Sequence, residues 1–554
     1  MIQQRWSIIS KRRPSSIEEV REILLDNRRA DGSFLDGALG DLEAYLVIKG
    51  MDEGARTMAE QLARRRRIVL VGDYDCDGIT SAAQMAHFLT DIGYGDFSVV
   101  IPNRSEGYGI PKRAVTDNPD AGLLVAMDCG TFDAEAVALA RERGTDCVVI
   151  DHHEVSDKEP APATVLINPK QPGCPSVFKD FCSSGLTLLF LTRLRKALAG
   201  VFPPPRLGGK FLGLAAIGTV ADMVPLVGGN RILVRYGLQS MNDGNDACLE
   251  RIAAVGGLSR KRLTAGHLGY YIGPRINAAG RMADPAIAFN FLFERDSREA
   301  WRLGQELNRL NGQRQKEEER ILEGVRACYT TQNASDRTFV TGEAGWSAGV
   351  IGIVASRIQQ EIHYGPVVVF SLDPENGLAR GSARSIPGFD IHLALRRCDD
   401  LLLRWGGHKM AAGMTVALEK LDAFAHRFET VARECSAEIF VPNGRVDSEL
   451  DLRLVCPELL DLLGEMEPYG LGNPTPTFVA RNAVVTVAKV FGRERNHLRL
   501  ILDDRAEGIF WRGDARYHAE TWARTEKLDV VFTVEWDAYS RKPVLNVKGI
   551  GREL

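Results

Sequence analysis

The sequence predicts an α/β protein: a parallel-sheet domain, a long connecting helix, a smaller second α/β domain, and an all-β barrel after them. Three observations carry this. From about Arg66, near-continuous apolar runs of strand length alternate with segments of helical periodicity. A charged stretch without proline, its leucines on one face, separates two such regions. About five short strand-like runs then crowd together after Gly444.

The bulk properties are compatible and bound the function classes. A chain of 554 residues exceeds what one core organises, so several domains are expected. A composition of 45% hydrophobic and 26% charged residues excludes a largely disordered chain. The net charge of −4 is neutral about partners, because a nucleic-acid binder needs only a local basic surface. The ten cysteines form no CxxC pair and no zinc-spaced cluster; Cys147, in DCVVI, reads as a small core residue. MIQQRWSIISKRRP is basic but lacks the apolar stretch of a secretory signal, and no segment approaches the roughly 18 apolar residues of a membrane span. A soluble, cytoplasmic protein is expected.

Residues 1–45 form an N-terminal segment of mixed character with no clear element. Residues 46–295 form the parallel-sheet domain, with RIVLVG, FSVVIP, GLLVAM and DCVVI as strands. ITSAAQMAHFLTDIG and DAEAVALARERG are helices between them, and beyond Asp222 the chain is mostly helical. Arg64 to Arg67 are expected to close a helix, where its dipole favours cations. VFPPPRLGG, around Pro203, is a loop. Residues 296–332 make the long helix, with Leu303, Leu307 and Leu310 on one face and the charges solvated. Residues 333–438 form the second α/β domain around VVVFSL, and 439–554 the barrel, for which the oligonucleotide-binding fold is the leading candidate.

The chemistry gathers at strand ends. VLVGDYDCDG puts Asp73, Asp75 and Asp77 after one strand, LLVAMDCG puts Asp128 after another, and CVVIDHHE puts Asp151, His152 and His153 after a third. Ligand sites in open α/β sheets lie at the carboxyl ends of the strands. One such Asp is more often a helix N-cap than a ligand. Several carboxylates in one crevice repel one another and lose hydration, so together they require a cation. Carboxylates with imidazole and no thiolate suit Mn2+ or Mg2+. Five or six such ligands are enough for two ions, an arrangement suited to hydrolysis of a phosphate ester or anhydride.

GDYDCDG, MDCG, IDHHE and GTVADMVPL, in that order, resemble the four motifs of the DHH phosphoesterase superfamily. The resemblance implies that Asp75 and Asp77 each favour one metal and that Asp128 bridges them. It gives His152 and Asp222 to the second ion and turns His153 to the scissile phosphate. Many members carry His four residues before Asp75; here that residue is Val71, which leaves Asp73 or water to complete the first ion's shell.

IPNRSEGYG and YYIGPRINAAGRMADP resemble motifs of the RecJ family, and GWSAGVIGIVASRI, GSARSIPGFDI and RWGGHKMAAGMTV resemble its DHH-associated domain. GSARS reads as a glycine-bounded turn whose N–H groups, with Ser382 and Arg384, cradle phosphate. His408 follows two glycines that let a ligand approach the backbone. Arg104, Arg275 and Arg281 flank Tyr108, Tyr270 and Tyr271, with Asn277 among them, a mixture suited to holding phosphates and stacking bases. Arg493, Arg495, His497 and Arg499 mark a basic hairpin in the barrel. The resemblance implies a 5′–3′ exonuclease of single-stranded DNA releasing 5′-mononucleotides, with a 5′-phosphate pocket of Arg104, Arg281, Ser382 and Arg384. It also implies a role in recombination and repair, with a helicase and a single-strand-binding protein as partners; a monomer is expected. Two other readings stay open: a DHH phosphodiesterase of short oligonucleotides or cyclic dinucleotides, and a non-enzymatic DNA-binding scaffold.

Overall fold

RIVLVG, FSVVIP, GLLVAM and DCVVI become adjacent parallel strands because each is apolar on both faces. Arg67–Gly72 lies between Phe97–Val100 and Ala121–Met127, followed outward by Asp146–Ile150 and a short fifth strand, Val165–Ile167, that the sequence pattern had not marked. Side-chain alternation splits each strand between two cores. Ile68, Leu70, Val125 and Val148 enter one with Ile79, Phe88 and Phe190; Val69, Val71, Ala126 and Val149 enter the other with Val137. Helices on both faces thus bury the central strands of the sheet, while the edge strand Phe97–Val100 is only partly covered.

The computed structural model describes residues 5–551 apart from 31–32, 156–158, 204, 245, 260, 331–334, 494, 512–526 and 538–540. The chain divides into two compact units. One comprises Ala30–Gly312 and Gly464–Thr475; the other comprises Met1–Arg29, Gln313–Leu463 and Pro476–Leu554. No helix among the described residues is long and apolar enough to cross a membrane.

The first unit carries the parallel sheet and, beyond it, helices such as Ser183–Ala197, Lys210–Ala221 and Gly228–Asn242. Gly464–Thr475 packs back onto it: the Arg231 guanidinium donates to the carbonyls of Met466 (2.9 Å) and Glu465 (3.1 Å), and Leu226 N–H donates to the Leu471 carbonyl. The helix expected to end in arginines, Met51–Ala63, stops before them; Arg64 caps it, and the Arg65 guanidinium lies over the Phe202 ring.

Buried His87 reports on this core. Burial and the charge of Lys210 push its pKa down to about 4, against the bond of Nε2 to the Leu292 carbonyl (3.0 Å). Its folded value lies below the unfolded one, so its stability contribution is complete above about pH 6.5 and is lost as the pH falls toward 4. At pH 5 the loss should be about 2 kcal/mol. Urea midpoints at pH 7 and pH 5 should lie closer together in His87→Gln than in the wild type, since glutamine keeps a donor and has no charge to gain; equal acid sensitivity in the two proteins would refute this assignment.

In the second unit, a five-stranded sheet runs Leu402–Gly407, Ala411–Ala417, Leu378–Arg384, Val367–Asp373, Phe339–Ala344. The last two are parallel, joined through the helix Ile351–Glu361. GSARS, expected as a turn, lies largely in the strand Leu378–Arg384, paired on both edges. The strand alternates: Ala379, Gly381 and Ala383 face inward, and a Cβ at Gly381 would stand 2.4 Å from the Phe370 ring. Gly381 thus answers a packing demand, not a turn. The long helix spans Ser297–Cys328. Its charges were expected to be solvated, but not all are: Arg314 and Glu318 are buried by packing around the helix and paired at 3.0 Å, with Arg357 also on Glu318 at 3.1 Å.

The barrel closes. Phe478–Phe491 pairs with both His497–Leu502 and Lys527–Asp537, and Ala506–Phe510 and Lys542–Gly551 complete the ring. This is the oligonucleotide-binding architecture expected from its five runs. Of the N-terminal segment, unassigned from sequence, residues 5–29 fold against it: Arg5–Ile8 pairs in parallel with Asn443–Val446, Trp6 and Ile8 pack on Val479 and Val531, and Arg28 makes a buried ion pair with Asp447, whereas Leu42 and Tyr45 pack into the core of the first unit.

Candidate metal centre

The site stands at the switch point of the parallel sheet, where the chain leaves the strand Arg67–Gly72 toward neighbours on opposite sides. Asp73, Asp128 and Asp151 each sit one residue past a strand, their N–H groups still tied to the next strand, at the carbonyls of Met127 (3.3 Å), Ile150 (3.0 Å) and Ile167 (3.0 Å). The ladder therefore aims three successive loops at one place. Asp128 holds φ +64°, a strained conformation for a non-glycine residue and one met at functional sites.

Asp75 fulfils the capping role as well. Its Oδ1 accepts the N–H groups of Asp77 (2.9 Å) and Gly78 (3.1 Å) at the start of the helix Cys76–Asp91, which leaves Oδ2 uncommitted to the cap. Asp77, fully buried, accepts the N–H groups of Ser183 (2.7 Å) and Ser184 (2.8 Å) at the start of another helix. Asp222 caps the end of Lys210–Ala221.

Three groups could each hold a cation: Asp73, Asp75 and Asp128; Asp77, His152 and Asp222; and Asp128, His152 and His153, the donor atoms of each within 4.8 Å of one another. His152 Nε2 is 3.3 Å from Asp128 and 3.6 Å from Asp222. All seven expected residues are thus brought together. Val71, at the position of the missing imidazole, is core, while Asp73 joins Asp75 and Asp128.

The electrostatics demand a cation. Burial first, and then neighbouring carboxylates, push Asp73, Asp128 and Asp222 well above the usual carboxylate range. Asp77 is pushed up to about 6 by burial and Asp75, against its backbone N–H bonds. Asp73 Oδ1 is buried with no hydrogen-bond partner. An orphaned carboxylate oxygen among repelling acids, with imidazole and no cysteine in the groups, fits a hard divalent cation.

Asp151 behaves oppositely. Burial opposes its charge, but the bond and charge of His153 and the Thr131 hydroxyl hold it well below the usual range. It accepts His153 Nδ1 at 2.7 Å and Thr131 Oγ1 at 2.5 Å. The sequence reading named Asp151 without giving it a role; its role is to orient His153. Ser183, Ser184 and Gln84, which donates to Ser184 Oγ (2.8 Å), were missed altogether. The only signal was a lone glutamine in an apolar helix.

The other expected residues divide. The Tyr108 hydroxyl donates to the Asp128 carbonyl (2.7 Å) and lies 3.0 Å from His153 Nδ1. Asn277 Oδ1 accepts Cys76 N–H (2.8 Å), steadying the acidic loop. Arg275 donates to Asn308 (2.7 Å) and to the Tyr271 carbonyl (2.6 Å). Arg104 lies over the Tyr74 ring and donates to the Gly280 carbonyl (3.2 Å); a Cβ at Gly280 would meet the Tyr74 carbonyl at 2.6 Å. Arg281 is half-buried next in the chain. In the second unit, Arg384 donates to Ser356 (3.1 Å), Ser382 (3.2 Å) and the Ala383 carbonyl (2.8 Å), and burial lowers its pKa with no carboxylate to offset it. His408 is exposed at the hairpin tip, its N–H on the Ala411 carbonyl.

Three family profiles match: the DHH family, N-terminal domain, at residues 67–219, the DHHA1 domain at 335–434, and the RecJ OB domain at 446–548. The single-stranded-DNA-specific exonuclease RecJ of Dickeya dadantii is 34% identical over 499 residues, covering 86% of this chain and 84% of that protein. The chain belongs to the RecJ family. The RecJ of Bacillus subtilis is 32% identical over 525 residues, 93% of this chain but 65% of that longer protein. The crystal structure of Thermus thermophilus RecJ with Mn2+ superposes with a TM-score of 0.82 at 29% identity, covering 99% of this chain and 79% of that one. The same protein is also known with Mg2+. Like these RecJ structures, the present chain carries a site for divalent cations.

Proposed function

We propose that this protein is a metal-dependent exonuclease that degrades single-stranded DNA from its 5′ end, with Asp73, Asp75, Asp77, Asp128, His152 and Asp222 holding two Mn2+ or Mg2+ ions. The observation that carries this is the clustering of those acids and imidazoles at the switch point of a RecJ-family chain. Bound ions would supply Lewis acidity and activated water for phosphodiester hydrolysis.

The protein's own groups do the rest. Asp151 and Tyr108 fix the His153 ring so that it hydrogen-bonds the scissile phosphate. Arg104 and Arg281 stand at the acidic loop to take phosphate oxygens in the first unit. Arg384, with two serine hydroxyls and no acid partner among the described residues, takes a phosphate in the second. The barrel binds the strand further along. A cytoplasmic monomer, supplied with single strands by a helicase and a single-strand-binding protein, is the setting proposed. The scaffold reading is not favoured, since a scaffold has no need of mutually repelling buried acids.

The test is digestion of a long single strand labelled separately at each end, with Mn2+, with Mg2+ and with chelator. Metal-dependent release of the 5′ label as mononucleotide, absent on blunt duplex, is expected. Cleavage of dinucleotides alone, with long strands untouched, would overturn the substrate and keep the metal site.

A further inference from the structure

Among the described large apolar side chains, three are the most exposed: Tyr270 and Val177, each at 83%, and Met223 at 72%. Two of these three stand on the segments around Asp222. Met223 follows Asp222 directly and holds φ +59°, a conformation costly for an unbranched non-glycine side chain. Tyr270 lies in the π-helical turn Leu268–Ile272, a rare geometry that gathers at functional sites. That turn is pressed onto the last turn of the helix that Asp222 caps: a Cβ at Gly269 would lie 3.4 Å from Val220, and one at Gly273 3.1 Å from Ala221. Leu268 and Ile272 are buried, so the turn is anchored by its flanks and presents Tyr270 outward. Arg275 pins its end at the Tyr271 carbonyl.

From this geometry we propose that Tyr270 and Met223 form a base platform beside Asp222, on which one nucleobase of the single strand stacks; the proposal rests on the exonuclease reading above. The chemistry selects the base over the other parts of a strand. Phosphates are drawn to cations and sugars are polar; only the base offers a flat face that an exposed phenol ring and a thioether cover. Stacking of this kind is sequence-tolerant, as digestion of any strand requires. It also places a nucleotide by its base, so that its phosphate is presented to the acids and not merely attracted to their ions.

The test uses the full chain with Mn2+ and single strands that each carry one tetrahydrofuran abasic analogue near the 5′ end. In the wild type, one abasic position should lower kcat/KM on the order of tenfold. Tyr270→Ala should lose the same factor on the intact strand and nothing further on that abasic strand, while Tyr270→Phe restores the wild-type value. Mn2+ binding measured by calorimetry should be unchanged in Tyr270→Ala, since the ring holds no ion. Wild-type rates for Tyr270→Ala on the intact strand, or an undiminished abasic loss in that variant, would overturn the platform. A wild type that digests no single strand would overturn the exonuclease reading itself, and the platform with it.

Discussion

Asp128→Asn should abolish strand hydrolysis and at the same time make the metal-free protein more stable. Asp128 belongs to two of the three candidate cation groups, with His152 Nε2 at 3.3 Å and the Ser183 hydroxyl on its Oδ1 at 3.3 Å. Loss of the anionic oxygen removes several kcal/mol of charge stabilisation, so a rate loss of about 1,000-fold or more is expected. Stability moves the other way. Without ions, Asp128 is a buried acid facing Asp77, Asp75 and Asp73, and Asn is nearly isosteric and tolerates φ +64°. Relief of that repulsion should stabilise the chelated protein by about 1–2 kcal/mol. Mn2+ at a hundredfold excess over Kd should stabilise the wild type by about 3 kcal/mol and the variant by less. Thermal melts with chelator and with Mn2+ check both arms; a wild type indifferent to Mn2+ would remove the cation from the account.

Arg28→Ala should destabilise the second unit by about 3 kcal/mol, far more than a surface charge would. The Arg28 and Asp447 side chains are 5% and 9% exposed and meet at 3.1 Å. Removing the guanidinium takes one charged donor from buried Asp447 and leaves it the neutral donors Asn27 (3.1 Å) and Thr477 N–H (3.0 Å). The loss should appear as faster hydrogen exchange in Asn443–Val446, the strand to which Arg5–Ile8 is paired. A double-mutant cycle with Asp447→Asn should return a coupling above 1 kcal/mol; a value near zero would make the pair incidental.

Much of this protein is local and therefore legible. A strand buried on both faces must be apolar throughout, which marked RIVLVG, GLLVAM and DCVVI, and the acids that follow mark their carboxyl ends. In the barrel the strand His497–Leu502 alternates with a period of two, whereas Lys527–Asp537 is marked by a continuous buried run from Leu528 to Val534. Val165–Ile167 was invisible because three residues carry no period. Arg314 reads as solvated by composition, yet its burial depends on packing that no window of the helix contains.

By itself the sequence determined the fold class, the order of the elements and the set of acids and imidazoles, since each follows from periodicity and residue type within a short stretch. Only the tertiary structure decided which oxygens come close enough to share a cation, that Asp75 caps a helix within the cluster, that Asp151 bonds His153, that GSARS is largely strand, and that residues 5–8 pair with a strand more than 400 residues away. For the shared cation groups, the strand pairing of GSARS and the closure of the N-terminal residues, the physical reason is that the partners are distant in the chain and leave no period in the sequence around either member. Asp75 and Asp151 bond within three residues of themselves, and there it is the backbone conformation of each loop that decides which of several neighbouring acids takes the bond.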